Sequence, residues 1–199
     1  MAHVAHPDAP GPFEVAAGTL LVAAPGLVDP NFHRTVVYVV EHGPGGSLGL
    51  VLNRPSETPL REILPSWAPL SARPHAVFVG GPVEAGAALC LATLHPGQDP
   101  AAVAGLVAVR GPVALVDLDG DPVALAPRVR GLRVFAGYAG WSGGQLAGEV
   151  ARGDWVVVPA LPDDVLADAH GCGLWARVLR RQGMPLALLA TFPDDVRHN

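Results

Sequence analysis

The sequence predicts an α+β fold: a single domain whose mixed, mostly antiparallel sheet curls towards a barrel and carries short flanking helices. Three observations lead there. Segments with strand character outnumber helical ones and follow one another directly, without strict βαβα alternation. Gly 24 and Pro 21 among 199 residues impose many tight turns and short elements. Half of the chain is apolar, enough to bury one core, and no repeat, long charge run or low-complexity linker marks a boundary. A loose, Pro-containing tail over residues 1–13 and one domain over 14–199 are expected.

Thr19 to Ala23 is a short apolar strand, broken by Ala24-Pro25-Gly26 and the loop to Asn31. Thr35 to Glu41 is apolar on both faces through Val36, Val37, Tyr38, Val39 and Val40, which suits a central strand covered on both sides. His42 to Gly46 forms a glycine-rich hairpin loop into the run Leu48–Leu52. Asn53-Arg54-Pro55 leaves the sheet. Thr58 as N-cap with Pro59 at the first helical position starts a short helix towards Leu64. Ala76–Val79 is a strand closed by Gly80-Gly81-Pro82, and Ala88–Leu94 is another. Pro100–Val107 reads as a helix, while Val113–Leu118 and Val123–Leu125 read as strands paired around Asp119-Gly120. After a strand at Val156–Val158, Pro162-Asp163-Asp164 opens a helix with acid in its first turn. A helix carrying Arg177, Arg180 and Arg181 follows, and Leu186–Ala190 reads as the last strand.

Composition removes several function classes. All 13 basic residues are arginines, so lysine Schiff-base chemistry and a P-loop lysine are absent. A net charge of −5 and a pI near 5.8 argue against nucleic-acid binding. The arginines at 177, 180 and 181 fit a solvated helix face. Cys90 and Cys172 form no C-x-x-C motif, a reducing-compartment pattern that points to the cytoplasm. No apolar run approaches the length of a membrane span.

Phe135 to Trp155 is the most informative stretch. Strand character through Phe135 leads into Gly137, Gly140, Gly143 and Gly144, which read as a glycine-rich turn. Ser142 and Gln145 have capping-box spacing, Leu146 and Val150 form an apolar stripe, and Gly153 stops a helix over Gly144–Arg152. Gln145 and Glu149 share one helical face. The helix start behind this turn offers an anion site, and the same residues also serve simply to satisfy the helix end.

The chain resembles the YqgE/AlgH family. The resemblance rests on L-L-V-A-A-P-G-L-V-D-P-N-F from Leu20, R-T-V-V-Y-V-V-E-H from Arg34, G-S-L-G-L-V-L-N-R-P from Gly46, V-F-V-G-G-P-V from Val77, G-Y-A-G-W-S-G-G-Q-L-A-G-E from Gly137, W-V-V-V-P-A from Trp155 and L-W-A-R-V-L from Leu174. It spans nearly the whole chain. It implies a small cytoplasmic bacterial protein with an α+β fold on a barrel-like mixed sheet and no settled activity. One family name implies transcriptional regulation. Relatives place a cysteine where this chain has Val40, so a thiol role of the family does not transfer to that position.

Polar residues at strand ends and in glycine loops make the candidate site: Arg34, Glu41, His42, Asn53, Arg54, Gly80, Gly81, Tyr138, Trp141, Gln145 and Glu149, with Asp29 and Asn31 nearby in sequence. Arg34 and Arg54 could hold a carboxylate or phosphate bidentately, and Glu41-His42 could supply acid/base chemistry. The competing reading is a buried polar network that fixes loops. Gly140 to Gly144 also fits G-x-S-x-G, with Ser142 as nucleophile and His170 as its histidine. Asp117, Asp119 and Asp121 read as an acidic turn, and His3, His6 and His170-x-Cys172 are too sparse for zinc. The expected function is a binding or regulatory protein, without metal or cofactor, that recognises a small anionic molecule or a protein partner. A hydrolase using Ser142 and a DNA-associated regulator are the alternatives. The leading reading requires the scattered loops to converge beside the opening turn of the Gly144–Arg152 helix.

Overall fold

The computed structural model describes residues 13–168 and 172–193. Among these residues ten strands form one mixed sheet: β1 (Thr19–Ala23), β2 (Val36–Gly43), β3 (Gly46–Val51), β4 (Pro55–Pro59), β5 (Ala76–Val79), β6 (Val83–Leu94), β7 (Leu106–Arg110), β8 (Val113–Val116), β9 (Val129–Ser142) and β10 (Trp155–Pro159). The main path runs β10-β1-β2-β3-β9-β6-β8-β7, with β5 parallel to β9 and antiparallel to β4. All other strand pairs are antiparallel. The sheet curls into a half-barrel. The curl brings the last strand back to the first: a Cβ added at Gly18, just before β1, would meet the Arg110 side chain of β7 at 2.3 Å.

Period-two alternation then sorts the core. The inside of the curl collects Leu20, Tyr38, Leu50, Phe78, Leu91, Val113 and Phe135, and α5 (Cys172–Arg180) plugs it with Leu174, Trp175, Val178 and Leu179. Trp175 is fully buried and donates its indole N–H to the Ala23 carbonyl at 2.7 Å, which fixes α5 to β1. One outer face (Leu21, Val37, Val39, Val51, Ala139, Trp141) is covered by α3 (Gln145–Ala151) through Leu146. The other outer face (Cys90, Ala92, Val134) is covered by α1 (Leu60–Ile63), α2 (Pro122–Leu125) and Trp67. α4 (Pro162–Val165) links β10 to α5.

Outside the glycine-rich stretch of β9, five expected elements differ. Pro100–Val107 is not a helix: Asp99 caps a single 3-10 turn over Pro100–Ala102, Gly105 at φ 78° breaks it, and the β-branched run that follows pairs with β8. Val123–Leu125 is helical because the Asp121 carboxylate caps Val123 N–H at 2.9 Å and Pro122 suits a first helical position. Leu186–Ala190 lies in a 3-10 helix, Leu186–Thr191, because its three-to-four-residue spacing sets Leu186, Leu189 and Ala190 against the core beside α5. The helix expected from Pro59 starts at Leu60, and Thr58 caps nothing. The hairpin is tighter than expected, since Gly43 pairs with Gly46 and only Pro44-Gly45 turns.

Where β5 ends against β9, backbone meets backbone. A Cβ at Gly80 would lie 2.2 Å from the Gly137 carbonyl oxygen, and one at Gly81 would lie 2.2 Å from the Tyr138 carbonyl carbon. Gly80 also donates to the Ala136 carbonyl, and its own carbonyl accepts from Val51, so it joins β3 to β9. Gly80→Ala is therefore expected to lower stability by about 2 kcal/mol, whereas Gly26→Ala, with nothing within 4 Å, changes it by less than about 0.5 kcal/mol. Urea unfolding of both variants checks this contrast.

Candidate functional site

β9 continues through the stretch expected to be a turn. Its residues pair with β3 as far as Ser142, and only Gly143-Gly144 turns the chain into α3. Gly137, at φ 68°, interrupts the alternation once, so Phe135 and Tyr138 both face inward; beyond it Tyr138 and Gly140 take the inner face and Ala139 and Trp141 the outer one.

On the outer face the glycine motif builds a lock. The Glu149 carboxylate accepts the indole N–H of Trp141 at 2.8 Å and of Trp155 at 2.9 Å on one oxygen, and the Gln145 amide at 3.1 Å on the other. Gln145 in turn accepts from Ser142 N–H at 3.0 Å and from the Ser142 hydroxyl at 3.2 Å. This is half of the expected capping box. The residue before α3 is Gly144 at φ 79°, so the serine oxygen does not cap the helix. Phe32 closes the cluster, 6.1 Å from Trp141 and 5.4 Å from Trp155, centroid to centroid. Trp141 is only 6% exposed, so it packs rather than presents a surface. His42 lies on this side, with Nδ1 2.7 Å from Ser47 Oγ.

On the inner face, at the rim of the half-barrel, the β2–β3 hairpin and β9 enclose a groove of about 640 Å³. Cross-strand register makes it: Glu41 pairs with Leu48, and Leu48 with Gly140. Because Gly140 has no side chain, a depression opens between Leu48, Val83 and Tyr138, with Glu41 at its edge and the backbone of Gly43–Gly46 along one wall. Glu41 is the charged side chain among the described residues that line it.

Arg34, Asn53 and Arg54 lie at the other end of β2 and β3. Arg34 and Glu41 are seven positions apart, roughly 20 Å along a strand. Arg34 is 6% exposed, holds φ 53°, lies 4.5 Å over the Trp175 ring and donates to the carbonyls of Phe192 (2.7 Å) and Pro193. Asn53 accepts from Val36 N–H at 2.9 Å and donates to the Arg34 carbonyl at 2.8 Å, and Arg54 donates to the His33 carbonyl at 2.9 Å. Asp29 accepts from Asn31 N–H within its own loop. These side chains hold loops and the C-terminal segment. The structure thus divides the expected patch into three places: two ends of the sheet and its outer face.

Sequence and fold comparisons agree on kinship. A family model described as AlgH-like matches residues 20–187. The chain belongs to this family. A UPF0301 protein of Mycolicibacterium vanbaalenii is 57% identical over 96% of this chain and 94% of its own length. One from Rhodococcus jostii is 58% identical over 93% and 92%. Among solved structures, a Corynebacterium diphtheriae protein superposes with TM-score 0.86 at 38% identity over 92% of this chain and 95% of that one. The solution structure of AlgH from Pseudomonas aeruginosa gives 0.63 at 30% identity over 89% and 94%.

AlgH-like kinship identifies the scaffold and not a reaction. Ser142 ends a strand outside the positive-φ region, so the strained nucleophile turn is missing, and its hydroxyl points at Gln145. His170 lies outside the described residues. Cys90 is 1% exposed and burial pushes its thiol up, away from the thiolate that redox or nucleophilic work needs. Asp117 and Asp121 edge a second cavity of about 450 Å³, but their carboxylates accept backbone N–H groups of Asp119 and Val123. No helix among the described residues is long and apolar enough to cross a membrane.

Sequence reasoning missed Leu48, Val83 and Gly140 as groove floor, Trp155 as a donor to Glu149, and Phe32 as the ring that packs on both tryptophans. No local signal reveals a floor residue; cross-strand register does. Glu149→Ala leaves two indole donors without their acceptor and is expected to cost about 2 kcal/mol, with a changed tryptophan emission. Glu149→Gln, which keeps one acceptor oxygen, loses less. Guanidinium unfolding monitored by fluorescence reads both effects, and a Glu149→Ala loss below about 0.5 kcal/mol contradicts the lock.

Proposed function

We propose that this AlgH-like chain is a non-catalytic binding protein, regulatory in role, that seats an extended segment of a protein partner in the groove between the β2–β3 hairpin and β9. The observation that carries this reading is the groove itself: about 640 Å³, open at the barrel rim, with an apolar floor and polar groups along its walls. That size and lining are those of recognition sites. Glu41 at its edge and the Tyr138 phenol favour a basic side chain flanked by apolar ones, and backbone groups at Gly43–Gly46 offer hydrogen bonds to an extended peptide. A small anion suits this groove less well, since the arginines once expected beside it hold carbonyls elsewhere. Hydrolysis by Ser142 has less support, because its hydroxyl is turned onto α3. A DNA-associated role has less support too, because Arg181 is already committed to Asp164.

The test is selection from a random decapeptide display library. Recovered peptides are expected to share a Lys or Arg next to an apolar residue. Their affinity is expected to fall at least about tenfold in Glu41→Gln and in Gly140→Leu, which fills the floor; a Cβ at Gly140 meets only ordinary contacts at 3.5 Å or more. Peptides that bind both variants as well as wild type would place recognition elsewhere.

A further inference from the structure

A third crevice, of about 430 Å³, lies between α4 and α5, and Arg130, Arg177 and Arg181 all line it with Asp163 and Asp164. The three arginines are not equivalent. Arg181 grips Asp164 with both ends of its fork, at 2.5 and 2.7 Å, and also donates to the Pro159 carbonyl at 3.0 Å. Asp164, its side chain 4% exposed, additionally accepts Leu161 N–H at 2.7 Å. This pair is a saturated brace whose charges cancel. Arg130 meets Asp163 through one 2.6 Å contact, with side chains 41% and 74% exposed, a pairing that water and salt weaken to almost nothing. Arg177 stands one turn before Arg181 on the same helical face, and its guanidinium makes no ion pair or hydrogen bond among the described residues. α5 (C-G-L-W-A-R-V-L-R) has no acid of its own to offset it.

A fourth arginine is buried behind the crevice. Ala167 lines the crevice, and its carbonyl accepts from Arg133 at 3.0 Å. Arg133 is 1% exposed, and its Nε and Nη1 make no hydrogen bond among the described residues. Burial pulls its guanidinium down to about 10, with Asp168 acting against that shift, so it is still protonated at neutral pH. Three arginines line the crevice with Asp163 and Asp164, a local excess of one positive charge on a chain whose net charge is −5.

We propose that this crevice is a binding site for a dianionic oxyanion of the phosphate class, held between Arg130 and Arg177 and braced by the Arg181–Asp164 pair. Binding displaces the exposed Asp163 carboxylate from Arg130 into water. Charge-assisted contacts from two guanidiniums suit the tetrahedral oxygens of such a group, and 430 Å³ admits a phosphorylated small molecule.

The experiment is a titration with inorganic phosphate followed by two-dimensional amide NMR of the full chain, with sodium chloride at matched ionic strength as control. Saturable shifts are expected at residues 161–167 and 177–181, beyond those the chloride control gives. Arg177→Ala and Arg130→Ala each raise Kd at least about tenfold. Arg180→Ala, on the same helix but outside the crevice, leaves it unchanged. Asp163→Asn tightens binding by removing the competing carboxylate. Equal loss in Arg180→Ala, weaker binding in Asp163→Asn, or shifts no larger than those with chloride would overturn the site. Shifts confined to 41–48 and 138–140 would also overturn it and assign the anion to the hairpin groove, so the two proposals fail separately.

Discussion

The alternation of β9 constrains everything around it. This strand of 14 residues pairs with β6 along one edge and with β5 and β3 along the other, and after one change of facing at Gly137 its register is held on both sides, so it cannot slip without unpairing both. Its last residues thereby serve two faces at once. Tyr138 and Gly140 open inward onto the groove, while Ala139 and Trp141 close the outer core under α3. One glycine-rich motif therefore produces both a cavity and a lock, which meet at Trp141: it lines the groove and donates to Glu149.

The lock explains why a carboxylate is tolerated beside an aromatic cluster. Glu149 is half-buried, and desolvating a carboxylate is costly unless donors replace water. Here two indole N–H groups and an amide do so, from β9, β10 and α3 together. The same three donors would be costly to bury without it. The arrangement ties a helix of seven residues, too short to be stable alone, to two strands far apart in sequence. A comparable logic holds at the opposite end of β2. There Arg34, in a left-handed conformation that costs an L-residue of its kind on the order of 1 kcal/mol, stacks on Trp175 and binds the carbonyls of the last described residues.

Local pattern made much of the fold legible. The Val36–Val40 run identified a strand covered on both sides, and the i, i+4 stripe of Leu146 and Val150 identified α3. The misread elements are those where a nonlocal partner outweighs propensity. Leu106–Arg110 is extended because β8 offers a ladder, and Leu186–Thr191 is helical because α5 offers a packing surface and no strand lies alongside. The polar residues were legible as special but not as neighbours. Arg34 and Glu41 lie close in sequence yet at opposite ends of β2, and Trp141 and Tyr138 lie three residues apart yet on opposite faces. Nothing in the spacing told a glycine turn from a glycine-bearing strand; only the pairing of Gly46–Gly49 with Ala139–Ser142 does so.

Thiol labelling across β9 tests this picture most directly. In a Cys172→Ser background, where Cys90 is buried, the single variants Tyr138→Cys, Ala139→Cys and Gly140→Cys are exposed to a maleimide under native conditions. A strand that faces the groove predicts rapid labelling at 138 and 140 and protection at 139, which is 0% exposed. Comparable labelling at all three positions would mean that this stretch is a loop, and the separation of groove from lock would not stand.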